Sequence, residues 1–325
     1  MADTPAPSID PASQPKPGQV SFDLDRTLSS VVFVHTKIPD NAYTASTLGP
    51  ERAGHGVVIG NDGLILTIGY LVIEAESIWI LDADGGVVEA HLVGYDQVTG
   101  FGLVQVLGRL QQPIMEIGSS AALQPGDPVI IAGHGGRQGA VSAEVVTKRE
   151  FAGYWEYLLD EAIFTAPPHP FWGGAALVDS NGRLGGIGSL FVQHSPSDGD
   201  PFDGNMIVPI DILEPVLDDL TKYGCSQQAP RPWLGVITAE AEGKVVVAAL
   251  ANGGPAEQAD LRVGDLVVGV GGAPIDGLAA MFRNIWALGD AGIDVPLTVY
   301  RDGDALSIDV HSADRGDFLI SPRLH

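Results

Sequence analysis

Short apolar runs rich in valine, isoleucine and leucine alternate with turn sequences from about residue 30 onward. Two of the turns, Gly-Asn-Asp-Gly at 60–63 and Asp-Ala-Asp-Gly-Gly at 82–86, are typical of β-hairpins. The first set of runs therefore predicts six strands, enough for one small closed barrel. The predicted strands cover 30–35, 56–59, 64–67, 77–81, 87–93 and 101–106.

A second set of apolar runs begins after Gly126 and Asp127 and predicts a second barrel. Residues 212–220 then have apolar positions three and four apart, which predicts an amphipathic helix that closes the domain. The predicted strands of the second barrel cover 128–133, 140–146, 154–158, 163–165, 176–178, 184–191 and 206–209.

A third unit is predicted over residues 231–314, after a linker at 223–230. It contains a strand at 244–250, a short helix that begins at Pro255, a helix at 278–288 and a final hairpin at 295–308. The double barrel is expected over 21–222. Residues 1–20 are rich in proline and are expected to be an unstructured tail, and 315–325 a C-terminal tail.

Charge and composition restrict the possible partners. The chain has 41 acidic and 17 basic residues, a net charge of −24, which disfavours binding to nucleic acid and to anionic membranes. The single cysteine, Cys225, cannot form an internal disulfide. No apolar run reaches the ~18 residues of a membrane span, and the N-terminus lacks a signal-peptide pattern. We therefore expect a cytoplasmic protein, or a periplasmic one only if an export signal is missing from this sequence.

The segment Phe171–Val178 reads Phe-Trp-Gly-Gly-Ala-Ala-Leu-Val. It resembles the Gly-Asn-Ser-Gly-Gly-Ala/Pro-Leu-Val segment of trypsin-like proteases of the HtrA type. Residues 54–59 with 66–67, residues 93–103 and residues 205–211 resemble further segments of that family in the same order. The resemblance covers about 31–223 and implies a mostly β fold, a trypsin-like double β-barrel.

The same resemblance places Tyr70 at the position of the general base, Gly100 at that of the orienting aspartate and Gly173 at that of the nucleophilic serine. A serine triad needs a hydroxyl, a base within hydrogen-bond reach and an acceptor that orients the base. Tyrosine, with a reference pKa of ~10, is a poor base at neutral pH, and glycine has no side chain. The implied function is a non-catalytic pseudoprotease.

Residues 231–314 resemble a bacterial PDZ domain, because Gly254–Asp265 and Trp233–Val236 match its two most recognisable segments. The resemblance implies that free backbone N–H groups of a carboxylate loop hold the C-terminus of a polypeptide, which adds as a strand. A PDZ domain that only packs against the barrels is the alternative. The expected peptide-binding residues are Trp233, Leu234, Gly235, Val236, Leu278, Phe282 and Ile285.

Two other functions remain open. A serine endopeptidase with a displaced site would use His134 or His169, with Asp96 near the former acid position. A metal- or partner-binding scaffold is the third class, although the acidic stretch at 198–203 lacks calcium-loop geometry, so neither metal nor cofactor is predicted. Its candidate ligands would be His134, His169, His194, Asp198, Asp200 and Asp203. By family analogy alone, Phe22 and Leu24 are candidate contacts of a homotrimer.

Overall fold

The computed structural model describes residues 9–194 and 202–320. The chain forms two compact units. The first unit comprises 1–149, 161–226 and 320–325, and the second comprises 150–160 and 227–319. The segment 150–160, expected within the double barrel, therefore belongs to the second unit.

The first unit begins with the short helix α1 (Leu24–Leu28), capped by the Asp23 side chain, and its first barrel also carries α2 (Ala45–Leu48). Six antiparallel strands close this barrel in the order β1-β2-β3-β6-β5-β4. Fully buried side chains such as Ile65, Leu66 and Leu103 lie on its strands. The strands are β1 (Val31–Lys37), β2 (Glu51–Val58), β3 (Leu64–Ile68), β4 (Ser77–Leu81), β5 (Val87–Tyr95) and β6 (Phe101–Val106).

The second barrel has the same topology as the first, with the strand order β10-β11-β12-β9-β8-β7. Its core is an apolar cluster that includes Ile131, Ile163 and Leu177. The helix α3 (Glu214–Tyr223) follows and ends at Gly224, which has a positive φ. The strands are β7 (Pro128–Ala132), β8 (Ala140–Gly153), β9 (Tyr157–Ala166), β10 (Ala176–Val178), β11 (Leu184–His194) and β12 (Phe202–Pro209).

The second unit is a sheet with the strand order β13-β14-β15-β17-β18, with β16 paired to β15. Its helices are α4 (Pro255–Gln258) and α5 (Leu278–Ala287). The apolar face of α5 packs into the buried core of the unit. The strands are β13 (Val236–Ala241), β14 (Lys244–Leu250), β15 (Leu266–Val270), β16 (Ala273–Pro274), β17 (Asp294–Arg301) and β18 (Asp304–His311).

The structure differs from the sequence predictions at the N-terminus. Part of the predicted tail is folded, because Pro17–Gln19 forms a 3-10 turn and the Ser13 carbonyl accepts a 2.7 Å hydrogen bond from the Ser142 N–H. Leu24 is only 2 % exposed within its own chain, so it is not available to contact another subunit. The ring of Phe22 packs on Gly182.

A second difference concerns the predicted strand at 154–158. Residues 154–156 form the turn that joins β8 to β9, and Glu156 in that turn has a φ of +61°. The aromatic run around Trp155 has the composition of a strand, but its rings stack on one another across the turn. Across the described part of the chain, no helix is both long and apolar enough to span a membrane.

Candidate functional site

The structure brings positions 70, 100 and 173 together where the two barrels of the first unit meet. Tyr70 lies in a 3-10 turn, Gly69–Leu71, directly after β3. The Gly69 N–H donates to the Gly100 carbonyl at 2.7 Å, and the Gly173 carbonyl accepts from the His55 N–H at 2.8 Å. At the three positions that correspond to the catalytic triad of the resembled family, these contacts are therefore made by backbone groups.

The Tyr70 side chain occupies the space in front of residue 173. Its hydroxyl donates a 2.9 Å hydrogen bond to the Ser189 carbonyl. A Cβ atom built on Gly173 would lie 2.7 Å from that hydroxyl oxygen, closer than real Cβ atoms approach another heavy atom. Burial of the hydroxyl raises the pKa of Tyr70 above its usual value, and a side-chain hydrogen bond with Trp172 acts in the opposite direction. Tyr70 is thus a neutral space-filling group and not a base.

Position 100 has a backbone conformation that favours glycine. Gly100 has a φ of +80°, in the left-handed region that a residue with a side chain enters only at a cost. Its N–H donates to the Asp96 carbonyl at 2.9 Å, and the Asp96 carboxylate accepts from the Thr99 N–H at 2.7 Å. Asp96, predicted as a possible remaining acid, is therefore engaged in a local turn.

The loop before Gly173 also departs from a catalytic arrangement. By the resemblance, the N–H groups of residues 171 and 173 are the ones that would bind an oxyanion. The Phe171 N–H instead donates to His169 Nδ1 at 3.0 Å. Asn205 holds the backbone of His169 from both sides, through its amide oxygen at 2.7 Å and its amide nitrogen at 3.3 Å. One of the two donors is therefore occupied by a buried side chain.

Three histidines, His55, His134 and His169, lie close together behind this loop. The His134 N–H donates to His55 Nδ1 at 3.1 Å, and the rings of His55 and His169 are 5.8 Å apart. His134 Nε2 lies 2.9 Å from the Asp82 carbonyl. Because His169 Nδ1 is an acceptor, its Nε2 carries the proton, which it donates to the Gly139 carbonyl at 2.9 Å. All of these hydrogen bonds join a ring nitrogen to the backbone.

His55 is neutral at physiological pH. Burial, reinforced by the neighbouring His169 and His134, lowers the pKa of His55 to about 3. Its Nε2 is buried and has no hydrogen-bond partner. Burial also lowers the pKa of His169. These two rings act as polar core residues, because a proton on either would be poorly solvated.

The predicted metal-ligand candidates do not assemble where the structure describes them. No group of three or more His, Cys, Asp or Glu side chains that could hold a metal is present within residues 9–194 and 202–320. Asp203 accepts a hydrogen bond from the Gln193 side chain at 3.2 Å. Asp198, Asp200 and the His194 side chain lie outside the described part.

In the second unit, the predicted carboxylate loop, Trp233–Val236, does not present free N–H groups as expected. The N–H groups of Leu234, Gly235 and Val236 donate to the carboxylate of Glu156, at 2.9, 2.8 and 3.0 Å. Burial raises the pKa of Glu156 to about 7, although the three N–H donors and Arg315 favour the ionised form. The loop binds a carboxylate, and in this structure it is a side-chain carboxylate of the same chain.

The other predicted peptide-binding residues form part of the core of the second unit. Leu278 is 4 % exposed, and Phe282 and Ile285 are fully buried. The Trp233 ring packs against Phe318, with ring centroids 4.8 Å apart. Ala152 and Leu158, on either side of Glu156, pack against the same core, so α5 and the hairpin share an apolar surface.

Sequence reasoning did not identify Glu156, His55 or Arg52. Arg52 is 5 % exposed, and its guanidinium donates to the carbonyls of Tyr70 and Ile73 at 2.8 and 3.2 Å, which fixes the turn that carries Tyr70. An isolated glutamate in an aromatic run, at Trp155-Glu156-Tyr157, was the only sequence signal for the hairpin contact.

Family comparisons agree with this architecture. Residues 54–187 match a trypsin-like peptidase domain, and residues 232–311 match a PDZ domain. A probable periplasmic serine endoprotease DegP-like from Pseudomonas putida is 29 % identical over 278 residues, covering 80 % of this chain and 55 % of its own length. The chain thus spans about half the length of such relatives. The serine endoprotease DegS of Escherichia coli K12 is 26 % identical, with coverage of 93 % and 90 %.

Solved structures show the same fold. An HtrA-type protease AlgW bound to a decapeptide has a TM-score of 0.52 at 20 % identity, covering 92 % of this chain and 98 % of its own. A serine endoprotease from Yersinia pestis also has a TM-score of 0.52, at 22 % identity, with coverage of 91 % and 99 %. The chain consists of a trypsin-like peptidase domain followed by a PDZ domain. In sequence it is similar to serine endoproteases of the DegP-like and DegS kind.

Proposed function

We propose that this chain is a non-catalytic relative of the HtrA-type proteases that binds polypeptide through its PDZ domain. The observation that carries the first part is the pair Tyr70 and Gly173. The Tyr70 hydroxyl fills the space into which a nucleophile at residue 173 would have to project. With glycine at 100 and 173, no side chain is present to attack a carbonyl or to orient a base.

The buried histidines support the same proposal. A displaced serine site would need a histidine that faces a hydroxyl group. Within the described residues, the hydrogen bonds made by the rings of His55, His134 and His169 all join a ring nitrogen to a backbone group. The occupied Phe171 N–H removes one oxyanion donor as well. The three histidine rings therefore bind backbone groups of the same chain and do not activate a nucleophile.

Peptide binding is proposed from the carboxylate loop. Its three N–H groups converge on a carboxylate, which is the chemistry that would recognise a polypeptide C-terminus. The related protein AlgW has been solved with a decapeptide. The net charge of −24 favours peptides that are not acidic.

Incubation with unfolded β-casein tests the catalytic part. We expect no cleavage above the buffer background over several hours, while an active HtrA-type protease in parallel digests the substrate. Titration with a C-terminal peptide library, with C-amidated peptides as controls, tests the binding part. Micromolar-range affinity that is lost on amidation is expected, since ordering a flexible peptide offsets much of the contact energy. Cleavage of casein would overturn the catalytic part, and binding that survives amidation would overturn the loop assignment.

A further inference from the structure

The turn at 154–156 places a glutamate side chain in the binding loop of the second unit. We call residues Glu150–Asp160 the 150–160 hairpin. Glu156 Oε2 accepts from the Leu234 N–H, and Oε1 accepts from the N–H groups of Gly235 and Val236. The residue is 6 % exposed, so water does not compete for these bonds. A peptide α-carboxylate would need the same three donors.

The hairpin also makes the backbone contact of an added strand. The Tyr154 carbonyl accepts from the Thr238 N–H at 3.0 Å and from the Thr238 hydroxyl at 3.4 Å. Tyr154 lies two residues before Glu156, and Thr238 lies two residues after Val236, so the two segments run antiparallel. This is the pairing by which an extended peptide is added to the edge of a sheet.

One side chain of α5, Arg283, contacts both ends of the hairpin. Arg283 forms ion pairs with Glu150 and, at 2.6 Å, with Asp160. These side chains are largely exposed, so the ion pairs orient the hairpin more than they stabilise it. Ala152 and Leu158 add apolar contacts with the core. The hairpin therefore contacts both β13 and α5, the two elements expected to flank a bound peptide.

Glu156 is the last residue of the three-residue turn between β8 and β9, and its backbone has a positive φ. Its φ of +61° lies in the left-handed region, which residues other than glycine, asparagine and aspartate seldom adopt. Such a conformation persists when surrounding contacts impose it, and it is a pointer to function. Here the surrounding contacts are the short hairpin turn itself and the three hydrogen bonds between the Glu156 carboxylate and the loop.

We propose that Glu156 is a built-in ligand of the carboxylate loop, and that a polypeptide C-terminus occupies the loop only by displacing the 150–160 hairpin. The proposal rests on the proposed function of the loop as a peptide site. Its consequence is that the apparent affinity for any peptide equals the intrinsic affinity multiplied by the fraction of molecules in which the hairpin is undocked.

The test uses the full chain and three variants: Glu156→Ala, Glu156→Gln and the control Glu144→Ala. Gln keeps the size of the side chain but replaces one acceptor oxygen with a donor group, so it guards against simple misfolding. Glu144 is an exposed glutamate on β8, the strand that leads into the turn with Glu156. The first measurement is amide hydrogen exchange, which reports the loop N–H groups without any added ligand. The second is titration with a fluorescein-labelled peptide library that ends in valine, leucine or phenylalanine.

We expect exchange at residues 234–236 to rise at least tenfold in Glu156→Ala, less in Glu156→Gln and not at all in Glu144→Ala. We also expect Glu156→Ala to bind the peptides at least tenfold more tightly than the wild type. Unchanged exchange at the loop in Glu156→Ala would overturn the built-in ligand. Equal peptide affinity in the wild type and Glu156→Ala would overturn the competition. If exchange rises but no variant binds peptide at millimolar concentration, the proposed peptide function and the competition both fail, and Glu156 is a purely structural ligand.

Discussion

The Tyr70 hydroxyl oxygen lies 2.7 Å from the point where a Cβ atom on Gly173 would stand, and the next ring atom, Cζ, lies 3.6 Å from it. The two positions are thus coupled through one oxygen atom. A nucleophile cannot be restored at residue 173 without moving or removing the phenol. Tyr70 and Gly173 therefore form one packing arrangement.

This coupling predicts a double-mutant cycle. Gly173→Ser should destabilise the protein by about 1–3 kcal/mol, as is typical for overpacking a filled site. Tyr70→Phe removes the clashing oxygen and, by itself, should cost about 1 kcal/mol for the lost bond to the Ser189 carbonyl. The double variant should be more stable than the sum of the single changes predicts. Urea denaturation of all four proteins measures the coupling.

Gly18→Ser is a suitable control for that cycle, because an added Cβ atom there meets no heavy atom within 4 Å. It should leave the free energy of unfolding unchanged. Simple additivity of Tyr70→Phe and Gly173→Ser would show that Tyr70 does not restrict residue 173.

Restoring the triad residues should not restore a protease. In Tyr70→His/Gly100→Asp/Gly173→Ser, the aspartate must adopt the left-handed conformation of Gly100, and the Phe171 N–H still donates to His169. Loss of one oxyanion donor reduces kcat by about 10²–10³-fold. The casein-cleaving rate of the triple variant should therefore stay at least about 100-fold below that of an active HtrA-type protease. A rate near that of the active protease would show that the loop is already arranged for catalysis.

His55 predicts a loss of stability in acid. Its pKa is about 3 in the folded protein and near 6.5 in the unfolded chain, so the unfolded chain takes up the proton first as the pH falls. The stabilisation is therefore complete above pH 6.5 and is lost progressively between pH 6.5 and 3. Each unit of pKa difference corresponds to about 1.4 kcal/mol, so the loss amounts to a few kcal/mol.

Unfolding curves at several pH values, for the wild type and His55→Asn, check this prediction. The variant should have a shallower dependence on pH over that range, whereas the exposed control His311→Asn should follow the wild type. Identical pH dependence in the wild type and His55→Asn would mean that the pKa of His55 is the same in the folded and unfolded protein.

The second unit depends on a buried ion pair. Asp265 is 1 % exposed and accepts two hydrogen bonds from the Arg301 guanidinium, at 2.7 and 2.6 Å. Removal of the Asp265 carboxylate leaves the Arg301 guanidinium with Asp260 alone and takes away the acceptor of the Arg262 N–H, so Asp265→Ala should destabilise the unit. Hydrogen exchange over 227–319 should rise strongly in this variant and not in the exposed control Asp309→Ala. Exchange equal to that of the control would show that the pair contributes nothing to stability.

The strands, the two barrels and the PDZ domain could be predicted because their apolar patterns and turn sequences are local. The resemblance of three segments, 54–72, 93–103 and 171–178, directed attention to Tyr70, Gly100 and Gly173. Contacts between residues far apart in the chain could not be predicted from the sequence. Glu156 and Val236 are 80 residues apart, and the aromatic run around Glu156 has the composition of a strand. The burial that lowers the pKa of His55 arises from packing that no local pattern records.

The most direct test of the account is labelling with a biotinylated fluorophosphonate, followed by intact-protein mass spectrometry. The reagent reports any serine that a nearby base has activated, wherever it lies, and an active HtrA-type protease serves as the positive control. The account predicts an unchanged mass for this protein under conditions that label the control fully. One stoichiometric adduct on any serine would contradict it, because it would mean that a nucleophile has been rebuilt away from Gly173.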